Sequence, residues 1–210
     1  MHRERNDIML SYEQELWNRG LVHIAGIDEV GRGCLFGDVV AAAVVLPSSF
    51  VCEDIQDSKK LSEKKRDALY DIIQEQALAI GIGRVAAEEI DRINIKQAAR
   101  LAMQKALRQM EIVPDYLLID AERIETDIPQ LSIVKGDSLS QSIAAASIIA
   151  KVTRDRLCVH WDQLYPQYGI AKHKGYATKE HREAIRTYGP CPLHRTSFLN
   201  NILAEQQTLF

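Results

Sequence analysis

The chain has few cysteines, no long apolar run and no repeats, and each absence removes a class of protein. Its four cysteines, Cys34, Cys52, Cys158 and Cys191, are scattered over 210 residues with neither paired zinc-type spacing nor a disulfide framework. A reducing, cytoplasmic setting is therefore expected. No hydrophobic stretch is long enough to span a bilayer, and the opening MHRERNDIML is too polar for a secretory signal. The charged and apolar fractions, 26% and 46%, are those of a soluble globular chain. One domain with a substantial core is expected over residues 1–200, followed by a tail at 201–210. A strong positive charge is also missing, since the formal net charge is −3.

The distribution of charge says more than its sum. Residues 151–195 carry nine Lys/Arg against four Asp/Glu, together with four of the six histidines. Such a stretch tracks phosphates in some proteins and is a solvated helix surface in others. Residues 26–33, GIDEVGRG, set Asp28 and Glu29 between an apolar run and a loop that is half glycine. Neighbouring side chains on a regular strand point to opposite faces, so two acids converge on one ligand only if the backbone bends or bulges there. Gly31 and Gly33 make such a bend cheap. Taken alone, the segment reads equally as an ordinary acidic turn.

Periodicity gives a coarse map. Residues 11–19 read as a helix ended by Gly20, residues 22–28 as a strand with Val22, Ile24 and Ile27 buried, and residues 38–46 as a second strand closed by Pro47. After a polar loop at 48–60, Ser62 caps a helix to about Ala77, with Leu69, Ile72 and Ile73 inward. Residues 79–86 suit a third strand, and 88–110 one long helix with Ile90, Ile93, Ala98, Leu101, Ala102 and Ala106 on one side. Residues 116–120 and 131–134 are short strands. Residues 138–157 form a helix opened by Ser138 and Gln141 at capping-box spacing, whose small residues 144–147 allow close approach to a sheet. The remainder reads as helical, with a loop at 166–176 and an end at Gly189-Pro190. A meander followed by alternating strands and helices implies an α/β fold: a mixed five-stranded sheet flanked by helices, with a helical extension over about 156–200.

Three strands thus end in acids: Asp28-Glu29, Asp120 and Asp137. Each alone reads as a turn or a cap. Together, carboxylates at adjacent strand ends of an open sheet face the crevice where ligands bind. Four carboxylates in one crevice repel unless cations neutralise them, and an all-oxygen set favours Mg2+ or Mn2+ over zinc. Two such ions roughly 3.5–4 Å apart clamp the attacking and leaving oxygens of a phosphodiester.

Six segments in order carry a resemblance: GIDEVGRG (26–33), VVAAAVVL (39–46), DSKKLS (57–62), LLIDA (117–121), KGDSLSQSIAAASIIAKVTRDR (135–156) and HKGYATKEHREAIRTYGP (173–190). The chain resembles bacterial type-2 ribonuclease H, the ribonuclease HII family, over roughly residues 22–198. The resemblance implies a ribonuclease H-like fold and divalent-metal hydrolysis of the RNA strand of RNA–DNA hybrids. It also implies cleavage 5′ of single ribonucleotides in duplex DNA, leaving a 3′-hydroxyl and a 5′-phosphate. By position, Asp28, Glu29, Asp120 and Asp137 match the family's metal-binding carboxylates, with Asp28 bridging both ions. Gly31-Arg32-Gly33 matches its ribonucleotide-sensing loop, where backbone groups read the 2′-hydroxyl without reading the base. Tyr176 matches the tyrosine that packs on the sugar of the adjoining deoxynucleotide. Lys59, Lys60, Lys151, Lys172 and Lys174 are candidates for phosphate contact, while His173 and His194 are given no acid or base role.

Where relatives commonly have prolines, this chain has Cys34 and Asp38, and it has Phe36 in place of a small residue. A less rigid bend and a fifth acid near the site are expected there. Type-3 ribonuclease H usually lacks the Gly-Arg-Gly loop and carries a long N-terminal domain for which this chain has no room. A non-catalytic hybrid-binding module would lack at least one of the four acids, and a resolvase- or transposase-like nuclease would not need the loop or Tyr176. Residues Gln206–Phe210 resemble the short Gln-x-x-Leu-Phe peptides that hold the replication sliding clamp. The expected partners are hybrid or ribonucleotide-containing duplex and that clamp, with no membrane, for a monomer.

Overall fold

The computed structural model describes residues 9–55, 58–200 and 202. Strands β1 (Ile24–Val30), β2 (Val39–Val45) and β3 (Ala79–Val85) form an antiparallel meander, and β4 (Tyr116–Asp120) and β5 (Gln130–Ile133) continue the sheet in parallel beyond β1. The order is β3-β2-β1-β4-β5, the expected mixed five-stranded sheet. All seven residues of β2 are buried because helices cover both faces. The first strand starts later than periodicity suggested. Val22 is exposed, and the N–H groups of Val22 and His23 donate to Asp115 Oδ2 at 2.9 and 2.8 Å instead of to a strand.

The helices are α1 (Ser11–Asn18), α2 (Glu63–Gln76), α3 (Ala87–Ile93), α4 (Ile95–Arg108), α5 (Gln141–Leu164), α6 (Ile170–His173) and α7 (Lys179–Tyr188). Ser62 caps α2 as expected, accepting from Lys65 N–H, and Leu69 and Ile73 are buried, but Ile72 faces solvent. The single helix expected over 88–110 is two. Asn94 takes a left-handed φ of +67° between them, and its side chain caps α4 by accepting from Lys96 and Gln97 N–H. Helix α5 is opened by Ser140, which accepts from Ile143 N–H at 3.2 Å, not by Ser138, which belongs to a one-turn 3-10 helix at Gly136–Ser138. The expected loop at 166–176 contains a second such turn, Pro166–Tyr168, and then α6.

Alternation along the strands splits the core. Ala25, Ile27, Ala41 and Ala43 pack with Ala98, Ala102 and Ala106 of α4, while Ala42 and Val44 pack on the other face with Ala145, Ile148 and Ile149 of α5. The approach of α5 is close enough that a Cβ on Gly26 would overlap the Ser142 main chain. Helix α1 fixes the start of α5 through the fully buried Glu13, whose Oε1 accepts from Ser140 Oγ at 2.6 Å and Ser142 N–H at 3.0 Å. Burial raises the Glu13 pKa above the usual carboxylate value. Among the described residues no helix is long and apolar enough to cross a membrane.

Candidate active site

The strand ends β1, β4 and β5 gather the acids, though not by the bend that adjacency suggested. Strand β1 pairs with β2 in unbroken register through Val30, opposite Val40, so Asp28 and Glu29 leave it on opposite faces. Asp28 is buried, hydrogen-bonded to Ser147 on α5 and to its neighbour's N–H at 2.7 Å. Ser147 Oγ in turn meets Ser58 Oγ at 2.9 Å. Glu29 turns the other way, where Arg32 Nη1 lies 3.3 Å from its Oε1 and 3.2 Å from Glu122 Oε1, and Arg100 of α4 donates to Glu122 Oε2 at 3.0 Å.

Asp120 closes β4, and its Oδ1 accepts from Gly136 N–H at 2.7 Å. That bond locks the strand end to the 136–138 turn in which the buried Asp137 sits. The four acids therefore share one end of the sheet. Burial raises the Asp28 pKa well above the ordinary carboxylate range, and the charges of Glu29 and Asp120 raise it further. Burial also raises Glu29, opposed by the Arg32 guanidinium.

Among the described residues no three Asp, Glu, His or Cys side chains are drawn together tightly enough to cage an ion as they stand. The opposite faces of Asp28 and Glu29 and the Arg32 pairing explain this. The donor set is nonetheless one that suits a hard divalent cation: all oxygen, self-repelling, and with Glu29 Oε2 buried without a hydrogen-bond partner.

The glycine loop follows β1. Gly31 has φ +94°, and a Cβ there would overlap Arg154 Nε, so both conformation and space require glycine. A Cβ on Gly33 would lie 4.0 Å from Tyr176 Cε1, which brings the half-exposed Tyr176 ring against the loop. The segment after it, where the sequence predicts a less rigid bend, is tied to distant segments by main-chain hydrogen bonds. Leu35 N–H donates to Gly175 O, Gly37 N–H to Leu193 O and Arg195 N–H to Leu35 O, each at 2.8 Å, and Phe36 is fully buried. Asp38 is no fifth acid of the cluster, because its carboxylate pairs with Arg84 of β3 at 2.8 Å.

Two fully buried arginines escaped sequence reading. Arg154 donates to the carbonyls of Phe36, Asp38 and Lys174, and Arg195 to those of Arg32 and Gly37. Together they fasten the Gly-Arg-Gly loop and the Gly175-Tyr176 turn to one framework. A signal was present, since Ala150, Arg154, Cys158 and Trp161 make a buried stripe along α5, and a charge on such a stripe needs partners.

The lysines divide. Lys60 Nζ reaches Ser138 Oγ at 3.5 Å beside Asp137, and the charge of Lys59 is felt at the Tyr176 hydroxyl. Lys151 is instead held by Asp155 at 2.6 Å and Lys172 by Glu180 at 2.9 Å. Lys174 has a left-handed φ of +53° and presents its carbonyl to Arg154. Much of the basic stretch has intramolecular partners: Arg154 and Arg195 are buried, Lys151 pairs with a buried carboxylate, and Arg156, Lys172 and Lys179 lie against carboxylates at the surface. Residues 206–210, the expected clamp peptide, lie outside the described residues.

The family model for ribonuclease HII matches residues 25–201. The ribonuclease HII of Alkaliphilus metalliredigens is 57% identical over 200 residues, covering 92% of this chain and 98% of its own, and that of Clostridioides difficile is 54% identical over 201 residues, covering 95% and 79%. Among solved structures, ribonuclease H2 of Pyrococcus horikoshii superposes with a TM-score of 0.74 at 24% identity, over 88% of this chain and 99% of its own. The ribonuclease HII of Archaeoglobus fulgidus, solved as a complex with PCNA, gives 0.71 at 25% identity over 85% and 96%. A ribonuclease HIII in complex with Mn2+ gives 0.62 at 20% identity and is covered over only 71% of its length. The match along 177 of 210 residues (25 to 201 inclusive), together with a relative 57% identical and covered over 98% of its own length, shows that the chain belongs to the ribonuclease HII family.

Proposed function

We propose that this enzyme hydrolyses the RNA strand of RNA–DNA hybrids and cuts 5′ of single ribonucleotides embedded in duplex DNA, leaving 3′-hydroxyl and 5′-phosphate ends. The observation that carries this reading is the meeting of four acids at the ends of three neighbouring strands with a glycine loop that abuts Tyr176. Asp28, Glu29, Asp120 and Asp137 would hold two Mg2+ or Mn2+ ions, for which Glu29 must exchange its Arg32 contact. Bound ions of this kind supply Lewis acidity at the attacking and departing oxygens. The chain's own part is to fix the acids and to present backbone groups of Gly31, Arg32 and Gly33 to a 2′-hydroxyl. The Tyr176 ring would then lie on the neighbouring deoxyribose. Lys59 and Lys60 are suited to phosphate contact beside it, and Lys174 lies in the same turn as Tyr176. Lys151 and Lys172 would first have to leave their carboxylates.

Labelled DNA duplex containing one ribonucleotide, digested with and without Mg2+, tests the reading. A single nick on the 5′ side of the ribonucleotide, dependent on metal and lost in Asp28→Asn and Asp137→Asn, is expected. Near wild-type cleavage by both variants at saturating Mg2+ would refute the assignment of the acids. The Archaeoglobus relative is solved with PCNA, and residues Gln206–Phe210 are proposed to engage the replication clamp of this organism. Titration of clamp with intact enzyme and with a 206–210 deletion tests this, and equal binding by the two ends it.

A further inference from the structure

Behind Tyr176 lie three buried histidines whose ring tautomers are dictated by main-chain groups. His181 Nδ1 is 2.9 Å from the Tyr176 carbonyl oxygen, which only accepts, so Nδ1 carries a proton. His194 Nδ1 is 3.0 Å from Cys191 N–H, which only donates, so that nitrogen is bare and the proton sits on Nε2. The two Nε2 atoms are 3.2 Å apart. His194 Nε2–H therefore donates to His181 Nε2, and every atom of the chain has a single consistent role. His173 stacks on His181 at 4.4 Å and is fixed independently, donating from Nε2 to Tyr168 O at 2.8 Å and accepting from Gly175 N–H at Nδ1.

The chain of bonds joins the two segments that meet at the candidate substrate site. At one end, His194 forms a β-bridge with Phe36 and sets its ring edge-on to the Phe36 ring at 4.8 Å, just past the Gly-Arg-Gly loop. At the other end is Tyr176, whose carbonyl takes both His181 Nδ1–H and Thr178 N–H. We propose that His181 and His194 are positioning residues for Tyr176. Their directional relay, from Cys191 N–H through both rings to the Tyr176 carbonyl, sets the main chain from which the tyrosine projects beside Gly33. Burial also pushes both histidine pKa values down to about 4, consistent with rings kept neutral. The proposal rests on the reading of Tyr176 as the contact to the deoxyribose beside a ribonucleotide.

Two measurements test it. Nitrogen-15 chemical shifts of the histidine rings at neutral pH are expected to show His181 as the Nδ1–H tautomer and His194 as Nε2–H. A charged ring at either position, or Nε2–H at His181, overturns the relay without any variant. The second is kinetic, comparing a single-ribonucleotide duplex with an uninterrupted RNA–DNA hybrid, which lacks the adjoining deoxynucleotide. His181→Leu is expected to lose about tenfold in kcat/KM on the first and less than about twofold on the second. His181→Asn keeps a donor near the Nδ1 position and is expected to recover most of the loss. Equal losses on both substrates, or Asn no better than Leu, overturn the positioning role. Tyr176→Ala separates the layers: if it shows no selectivity, the parent reading fails and takes the proposal with it. If it is selective and His181→Leu is not, the relay alone falls.

Discussion

At the scale of single residues, the site is held by groups that oppose the stability of the fold. Asp28 is buried beside Glu29 and Asp120, and its pKa is raised well above that of a free carboxylate by burial first and by those charges second. An isosteric neutral replacement relieves both. Asp28→Asn is expected to raise Tm in metal-free buffer while lowering cleavage by about 10²–10³-fold or more. Added Mg2+ should raise the Tm of the wild type, as ligand binding to the native state requires, and leave the variant nearly unmoved. Scanning calorimetry decides, and a lower Tm for the variant would contradict the repulsion argument. Arg154 is the reverse case, a buried charge that stabilises. Its three main-chain carbonyl acceptors lose their donors together in Arg154→Met, which is expected to cost on the order of 3–5 kcal/mol in urea denaturation. Arg154→Lys should recover little, because one ammonium cannot reproduce the guanidinium fork.

At the scale of elements, what the sequence disclosed and what it withheld have different physics. Strand positions followed from alternation and from the small residues of β2, and the acids at strand ends followed from strand position. The break at Asn94 did not, because the apolar stripe runs on from Ile90 and Ile93 into Ala98 and Ala102, and periodicity cannot see a left-handed residue that restarts the helix in phase. The cap of α5 was misplaced for a related reason. Ser138, Ser140 and Ser142 alternate along the chain, and only the bonds between Glu13 and Ser140 and Ser142, contacts distant in sequence, select the middle one. The carbonyl partners of the buried arginines, Phe36 and Asp38 for Arg154 and Arg32 and Gly37 for Arg195, were illegible because they lie more than a hundred residues away, and the histidine relay because its ring-to-ring bond depends on how the chain turns between α7 and His194. Asn94 gives a direct test of the element-scale reading. Asn94→Ala keeps a Cβ at φ +67° but loses the side-chain amide that caps α4 and compensates that conformation, for an expected cost of about 1–3 kcal/mol. Asn94→Gly loses the same cap but removes the Cβ from that conformation, and should cost only a few tenths. Equal denaturation midpoints for the two variants would show that the φ angle carries no strain.

At the scale of the whole molecule, two sets of buried titratable groups pull stability in opposite directions with pH. Glu13, Asp28 and Glu29 have folded pKa values raised by burial, so the folded state keeps protons that the unfolded chain sheds. Their contribution falls as pH rises above the ordinary carboxylate values of about 4. His181 and His194 are pushed down to about 4 from an unfolded value near 6.5, again by burial. The unfolded chain therefore binds their protons first, and their contribution is intact above about pH 6.5 and is lost as pH falls towards 4. The native protein should thus show a weak net dependence on pH that conceals two opposing ones. His194→Gln removes one histidine and leaves the carboxylates in place, so the difference between variant and wild type isolates it. Between about pH 7 and pH 5 the wild type is expected to lose on the order of 1–2 kcal/mol more than the variant. Urea midpoints measured at both pH values supply the comparison. Parallel pH profiles for the two proteins would mean that His194 is protonated as readily folded as unfolded, and the neutral histidine cluster would have to be abandoned.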